Sequence, residues 1–282
     1  MVNEASSRTF QEKNIYDSSK HNFRQLLEFK EVWQYRDLVF FLVKRDITAR
    51  YKRSVLGIAW TMLHPLGMMV VLSIVFSQVF RVSMVGYPAY VLSGLIAWTF
   101  FSQTSSNSIN VLVWGGNLFQ RIYVPRSIFA ISTIITGLVN LVLSLVPLII
   151  VMFVIKVPIN LTILIAPVGM LFFALFSLGV GLLLSTIGIY FADIVEMYAI
   201  ILTAWMYLTP IIYPITMLPD WAQYWIRLNP MFHLVQFFRD FVLYGNIPPL
   251  HSWLLCFGIS FGVFIIGWTI FTENSDEFAY RT

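Results

Sequence analysis

After residue 53 the chain is dominated by uncharged stretches. Between Arg53 and Glu273 only ten charged residues occur, and they leave six long uncharged tracts among those 219 positions, 54–80, 82–120, 127–155, 157–192, 197–219 and 241–272, with shorter segments between them. Each tract exceeds the ~20 apolar residues with which an α-helix crosses the hydrocarbon core of a bilayer. The pattern predicts six transmembrane helices, at about 57–80, 88–110, 128–155, 161–189, 196–213 and 251–271. Upstream, residues 23–43 mix Phe23, Leu26, Leu27, Val32 and Trp33 with Lys30, Glu31, Arg36 and Asp37, and end in an apolar run too short to span. That mixture predicts an amphipathic helix lying in the membrane interface. Residues 214–249 are too long for a simple turn and too apolar for a soluble loop, with Trp221, Tyr224, Trp225, Met231, Phe232, Phe237 and Phe238 set between Pro219, Pro230 and Pro248. Two short re-entrant helices on the external side fit this stretch, because non-helical backbone at membrane depth is tolerated only against protein or water. The expected fold is all-α and integral to the membrane, with an N-terminal segment 1–53 and a transmembrane domain 54–282.

Composition agrees, with 58% hydrophobic, 17% aromatic and 11% charged residues and a mean hydropathy of +0.76, outside the range of soluble domains. Charge then orients the helices. The first 53 residues hold 11 of the 18 Lys and Arg and 7 of the 14 Asp and Glu, so their net +4 equals the formal charge of the whole chain. With six spans both termini share one side. That side, with the 111–127 and 190–196 loops, holds 14 basic residues against 4 on the other (Arg81, Lys156, Arg227 and Arg239). The positive-inside rule makes it cytoplasmic. Local basicity beside anionic lipid accounts for the charge without invoking nucleic acid. The polar, acid-containing start leads into no short apolar segment with a cleavage site, so a removed signal peptide is not expected. Cys256 is the single cysteine, which excludes an internal disulfide and a thiolate metal cage.

The candidate chemistry is polar rather than reactive. Gln103, Ser106, Asn107 and Asn110 share one face of the second predicted helix, and Thr133, Thr136, Asn140 and Ser144 form a similar series on the third. In hydrocarbon such stripes face other helices or water, as interhelical hydrogen bonds, a hydrated pathway or both. Ser177, Gly181 and Ser185 on the fourth helix, and Gly258 and Gly262 on the sixth, have the spacing of close helix contacts. His64, His233 and His251 are isolated, and no H-E-x-x-H pair, G-x-S-x-G elbow or G-x-x-x-x-G-K-[ST] phosphate loop occurs. No enzyme constellation can be assembled; energy for any active transport has to come from another chain. A conduit would be lined by polar and aromatic groups of the first, second and fifth helices rather than by charges, for which Trp60, Gln103, Asn107, Asn110 and Tyr207 are the candidates. Binding there must be weak and multiple, so that the ligand leaves.

Four stretches carry a family resemblance. Arg45–Gly57 with Trp60 and His64-Pro65, then Asn117-Leu118 with Arg121–Arg126, then Thr209–Pro214, and finally Asn229-Pro230 with Phe238-Arg239-Asp240 together resemble permease subunits of ABC-2 type exporters. The nearest branch is that of O-antigen, capsule and teichoic acid export. The resemblance implies a homodimer working with two copies of a separate nucleotide-binding ATPase, which would hold ATP and Mg while this chain holds no cofactor. It implies transport of a polyprenyl-diphosphate-linked polysaccharide across the bacterial cytoplasmic membrane. It assigns Asn117, Phe119, Arg121, Tyr123 and Arg126 to contact with the ATPase, where Arg121 and Arg126 would otherwise serve only topology. For the lipid diphosphate the basic groups near an interface are Arg45, Arg50, Lys52, Arg53 and Arg239, with ordinary headgroup contact as the alternative. An exporter of drugs or small hydrophobic ligands, or an intramembrane enzyme acting on lipid-linked sugar, remain the competing functions.

Overall fold

The computed structural model describes residues 24–52, 57, 59–78, 84, 86–115 and 124–275. All regular secondary structure among them is helical. α1 (Arg24–Gln34) and α2 (Arg36–Tyr51) precede α3 (Ala59–Gln78), α4 (Tyr87–Trp114) and α5 (Ser127–Val154). A 3-10 turn at Leu161–Ile165 runs into α6 (Ala166–Tyr190), followed by α7 (Ile194–Tyr207). Then come α8 (Asp220–Ile226), α9 (Pro230–Arg239) with a π-helical continuation Asp240–Tyr244, and α10 (Leu250–Asn274).

Four of these segments are long and apolar enough to cross a membrane: α3, α5, the 30-residue stretch Leu161–Tyr190, and α10. α4 has 28 residues but is not among them, its second half from Ser102 to Asn110 being polar. α7 has 14 residues, roughly 21 Å at 1.5 Å per residue against a hydrocarbon core of about 30 Å. The sequence had suggested a helix as far as 213. It ends instead at the Leu208 cap, because Pro210 supplies no N–H and its ring clashes with the preceding turn. The expected amphipathic helix is the pair α1 and α2, running on to Tyr51. α2 buries Val39, Leu42 and Val43 against Ile128 and Phe129 at the start of α5, while Phe29, Trp33, Phe40 and Phe41 stay exposed. Two short helices, α8 and α9, occupy the segment where re-entrant helices were expected.

α4 is the hub, packing against α3, α5, α6, α7 and α9. The closest backbone approach joins α6 to α10. A Cβ added to Gly267 would strike the Gly179 carbonyl oxygen, and one added to Gly179 would lie 2.5 Å from the Val263 carbonyl oxygen. The small-residue stripes read from the sequence are only partly used: Gly181 faces Ser108 of α4, but Gly258 and Gly262 meet nothing within 4 Å.

Where α7 ends, Leu208, Pro210, Ile211, Ile212 and Tyr213 present carbonyls with no helical partner, and side chains answer each one. Arg239 Nη1 donates to Pro210 O at 2.8 Å. Its Nη2 donates to Ile211 O at 2.9 Å and to Tyr90 O at 3.1 Å. The Asn229 amide donates to Leu208 O at 3.1 Å and to Thr209 Oγ1 at 2.9 Å, while its Oδ1 accepts from Trp205 Nε1 at 2.8 Å and caps α9 by accepting from Met231 N at 3.0 Å. Tyr87 donates to Ile212 O at 2.6 Å, and the Tyr90 hydroxyl lies 3.1 Å from both Pro210 O and Tyr213 O. The guanidinium carbon sits 3.6 Å from the Tyr90 ring centroid, a cation–π contact. Gly94 leaves the space, since a Cβ there would be 2.5 Å from Nη2.

This overturns one expectation. Arg239 had been grouped with the cations available to a lipid diphosphate, yet it is 2% exposed and its N–H groups are taken by carbonyls; the broken backbone claimed it first.

Two stability predictions follow from these contacts. Gly267→Val should destabilise the detergent-solubilised protein by at least the ~1–3 kcal/mol of an overpacked core, whereas Gly258→Val, entering open space, should stay within about 0.5 kcal/mol of the parent. Arg239→Met should cost about 1–3 kcal/mol for each buried carbonyl left without a donor, and Arg239→Lys should recover part of that loss. Thermal unfolding followed by tryptophan fluorescence checks both.

Candidate functional site

A cavity of about 670 Å³ lies between α3, α4 and α5, with Asp46 and Ala49 of α2 at one end. Trp60, Thr61 and His64 come from α3, Gln103, Asn107 and Asn110 from α4, and Thr133, Thr136, Asn140 and Ser144 from α5. A smaller hollow of about 220 Å³ shares His64 and Gln103 with it and reaches Met206 of α7.

The polar residues of α4 divide into two kinds by side-chain length. Short hydroxyl residues on its buried side return to their own helix: Thr104 Oγ1 donates to Phe100 O at 2.7 Å, Ser105 Oγ to Phe101 O at 2.6 Å and Ser108 Oγ to Thr104 O at 2.8 Å. Tyr198 of α7 adds a bond to Ser105 Oγ at 2.8 Å. Hydroxyls on α5 behave alike, with Thr133 donating to Phe129 O at 3.0 Å, Thr136 to Ser132 O at 2.9 Å and Ser144 to Asn140 O at 2.8 Å. An amide carries two donor hydrogens and an acceptor oxygen, more than one carbonyl of the preceding turn can satisfy. Gln103, Asn107 and Asn110 are exposed to the cavity and make no hydrogen bond to another described residue. At spacings of four and three they form a ladder along one wall.

The other expected site residues scatter. Trp60, Gln103, Asn107 and Asn110 meet on the cavity; Tyr207 does not, standing 62% exposed at the end of α7. The third wall of this cavity comes from α5, which packs on both α3 and α4, rather than from α7. The sequence signal for it was the Thr133–Ser144 stripe. Asp46 and His64 are lining residues that the reading of the sequence missed. Arg45, near the cavity's end, binds Asp46 Oδ1 through Nε at 3.0 Å and Nη2 at 2.8 Å. Lys52 is exposed just after α2. Arg53 and the side chain of Arg50 lie outside the described residues, as do Asn117, Phe119, Arg121 and Tyr123. Arg126 is partly buried at the N-cap of α5, and burial pushes its guanidinium pKa down. Among the described residues no group of three His, Cys, Asp or Glu is placed to hold a metal.

Comparison with known proteins gives this arrangement its setting. The O-antigen export system permease protein RfbA of Myxococcus xanthus is 28% identical over 254 residues, 89% of this chain and 97% of the relative. A protein of the same name from Klebsiella pneumoniae is 25% identical over 248 residues, covering 86% and 94% of the two chains. The polysialic acid transport protein KpsM of Escherichia coli is 26% identical over 217 residues, 73% of this chain and 81% of the relative. The profile of the ABC-2 type transporter family matches residues 37–243, a span from α2 to the π-helical turn that takes in every wall of the cavity, and the chain belongs to that family.

Proposed function

We propose that this chain is the membrane-spanning permease subunit of an ABC exporter that moves a polyprenyl-diphosphate-linked polysaccharide of the O-antigen kind across the cytoplasmic membrane. Two copies would work with two separate ATPase subunits that hold ATP and Mg. The observation carrying this reading is the ladder of Gln103, Asn107 and Asn110, three amides with no hydrogen-bond partner among the described residues, on a helix inside a membrane domain. A polar group at membrane depth marks a path for water or a ligand. Relatives whose names specify O-antigen export and polysialic acid transport support a glycan as that ligand.

In this reading α3, α4, α5, α6, α7 and α10 provide six crossings, α7 being completed by the broken segment that follows it, while α8 and α9 enter from the external side. The excess of basic residues at the N-terminus and between α4 and α5 supports a cytoplasmic position for both termini and that connection. The connection then joins the two helices that wall the cavity. An ATPase gripping Asn117–Arg126 in one nucleotide state more tightly than in another would shift the membrane domain between conformations, and the lever would act directly on the cavity.

Arg121→Glu tests the coupling. In cells that lack the chromosomal permease but contain the partner ATPase, the variant should reach the membrane at parental levels, yet lose polymer export and the ATP hydrolysis linked to it. Normal export by a well-expressed variant would sink the coupling assignment. Orientation is checked separately, in a Cys256→Ser background: a cysteine at Gly86 or Asn246 should react with a membrane-impermeant thiol reagent added to intact cells with a permeabilised outer membrane, and one at Ser18 only after the inner membrane is opened.

A further inference from the structure

We infer that the cavity between α3, α4 and α5 selects an uncharged, hydroxyl-rich glycan over a polyanionic one, with the amide ladder of α4 as the specificity element. The inference rests on the permease reading and sharpens its substrate class. Each of Gln103, Asn107 and Asn110 offers both an acceptor oxygen and a donor NH₂ group, and none of these is occupied by another described residue. A sugar hydroxyl also donates and accepts, so a glycan can exchange hydrogen bonds in both senses at every rung and leave no amide group unmatched. A carboxylate accepts only. It would use the NH₂ groups and set the amide oxygens of Gln103 and Asn107 against its own charge.

Fixed charge on the walls points the same way. Among the described residues the lining contains no Lys or Arg, and its single carboxylate is Asp46, at the end nearest α2. Arg45 neutralises Asp46 through two bonds to Oδ1, so the pair offers no surplus positive charge to a passing anion. Burying an uncompensated charge from a polyanion costs far more than burying hydroxyls that are hydrogen-bonded. The hydroxyls of α5 already satisfied by their own helix provide polar surface without further demand.

The experiment uses the assembled permease and ATPase in nanodiscs and reads stimulation of ATP hydrolysis by two probes on the same polyprenyl diphosphate: an uncharged polymannose chain and a polysialic acid chain of equal length. The uncharged chain should half-maximally stimulate at a concentration at least tenfold lower. Asn107→Lys should reduce that preference at least tenfold, whereas Asn107→Gln should keep it. Equal or better stimulation by the polyanion, or an unchanged preference in a well-assembled Asn107→Lys complex, would each overturn the selectivity. Silence with both probes, in a complex whose basal hydrolysis is intact, would instead remove the polysaccharide reading and the selectivity with it.

Discussion

A membrane domain has no water with which to repair a broken helix, so every carbonyl released at a break has to find a donor from the protein. At the end of α7 the proline-interrupted run from Leu208 to Tyr213 releases five such groups, and the structure around them is organised to meet that demand. Arg239 arrives from α9, Asn229 from the turn before it, and Tyr87 and Tyr90 from α4. One knot thereby ties together four parts of the chain that lie far apart in sequence. The absence of a side chain at Gly94 belongs to the same solution, because the guanidinium fills that space. A buried cation bonded to several carbonyls and lying over a ring is stabilised without a carboxylate, which spares the core a second charge.

The same accounting separates packing from function on α4. Serine and threonine are short enough to bond to the preceding turn of their own helix, so they pass through the apolar core at little cost. Glutamine and asparagine carry more donors and acceptors than one such carbonyl can satisfy. Gln103, Asn107 and Asn110 have no hydrogen-bond partner among the described residues and line the cavity, which leaves those groups for water or a ligand.

Sequence pattern revealed a good deal of this. The six long helices were anticipated to within a few residues at most ends, because uncharged tracts and proline breaks are local signals, whereas the break between α1 and α2, the run of α2 to Tyr51 and the early end of α7 were not. Gln103, Asn107 and Asn110 were legible as one face from their spacing alone. Three things were not. Tyr207 was drawn into the expected lining because an aromatic near a helix end looks alike whether it faces a conduit or lies outside one. That α5 walls this cavity beside α3 and α4 was not legible because adjacency between helices is tertiary information. Arg239 was taken for an interfacial cation because its partners, Tyr90, Pro210 and Ile211, stand 149, 29 and 28 residues away, and they are main-chain carbonyls that any residue would supply. The apolar neighbourhood of Val235, Phe237, Phe238 and Phe241 was the available hint.

The contact of Gly179 with Gly267 bears on motion as well as on packing. Two helices whose backbones touch have no cushion of side chains to shear through, so sliding or rolling one on the other drives carbonyl into carbon at once. This contact favours α6 and α10 moving as one unit. α3 is built in the opposite way: it leans on α4 and α5, and only 11% of its most apolar window is buried. Since α3 supplies Trp60 and His64 to the cavity, the wall with the least holding it is also one that sets the bore, and a small swing of that helix changes the opening while the α6 and α10 pair stays still.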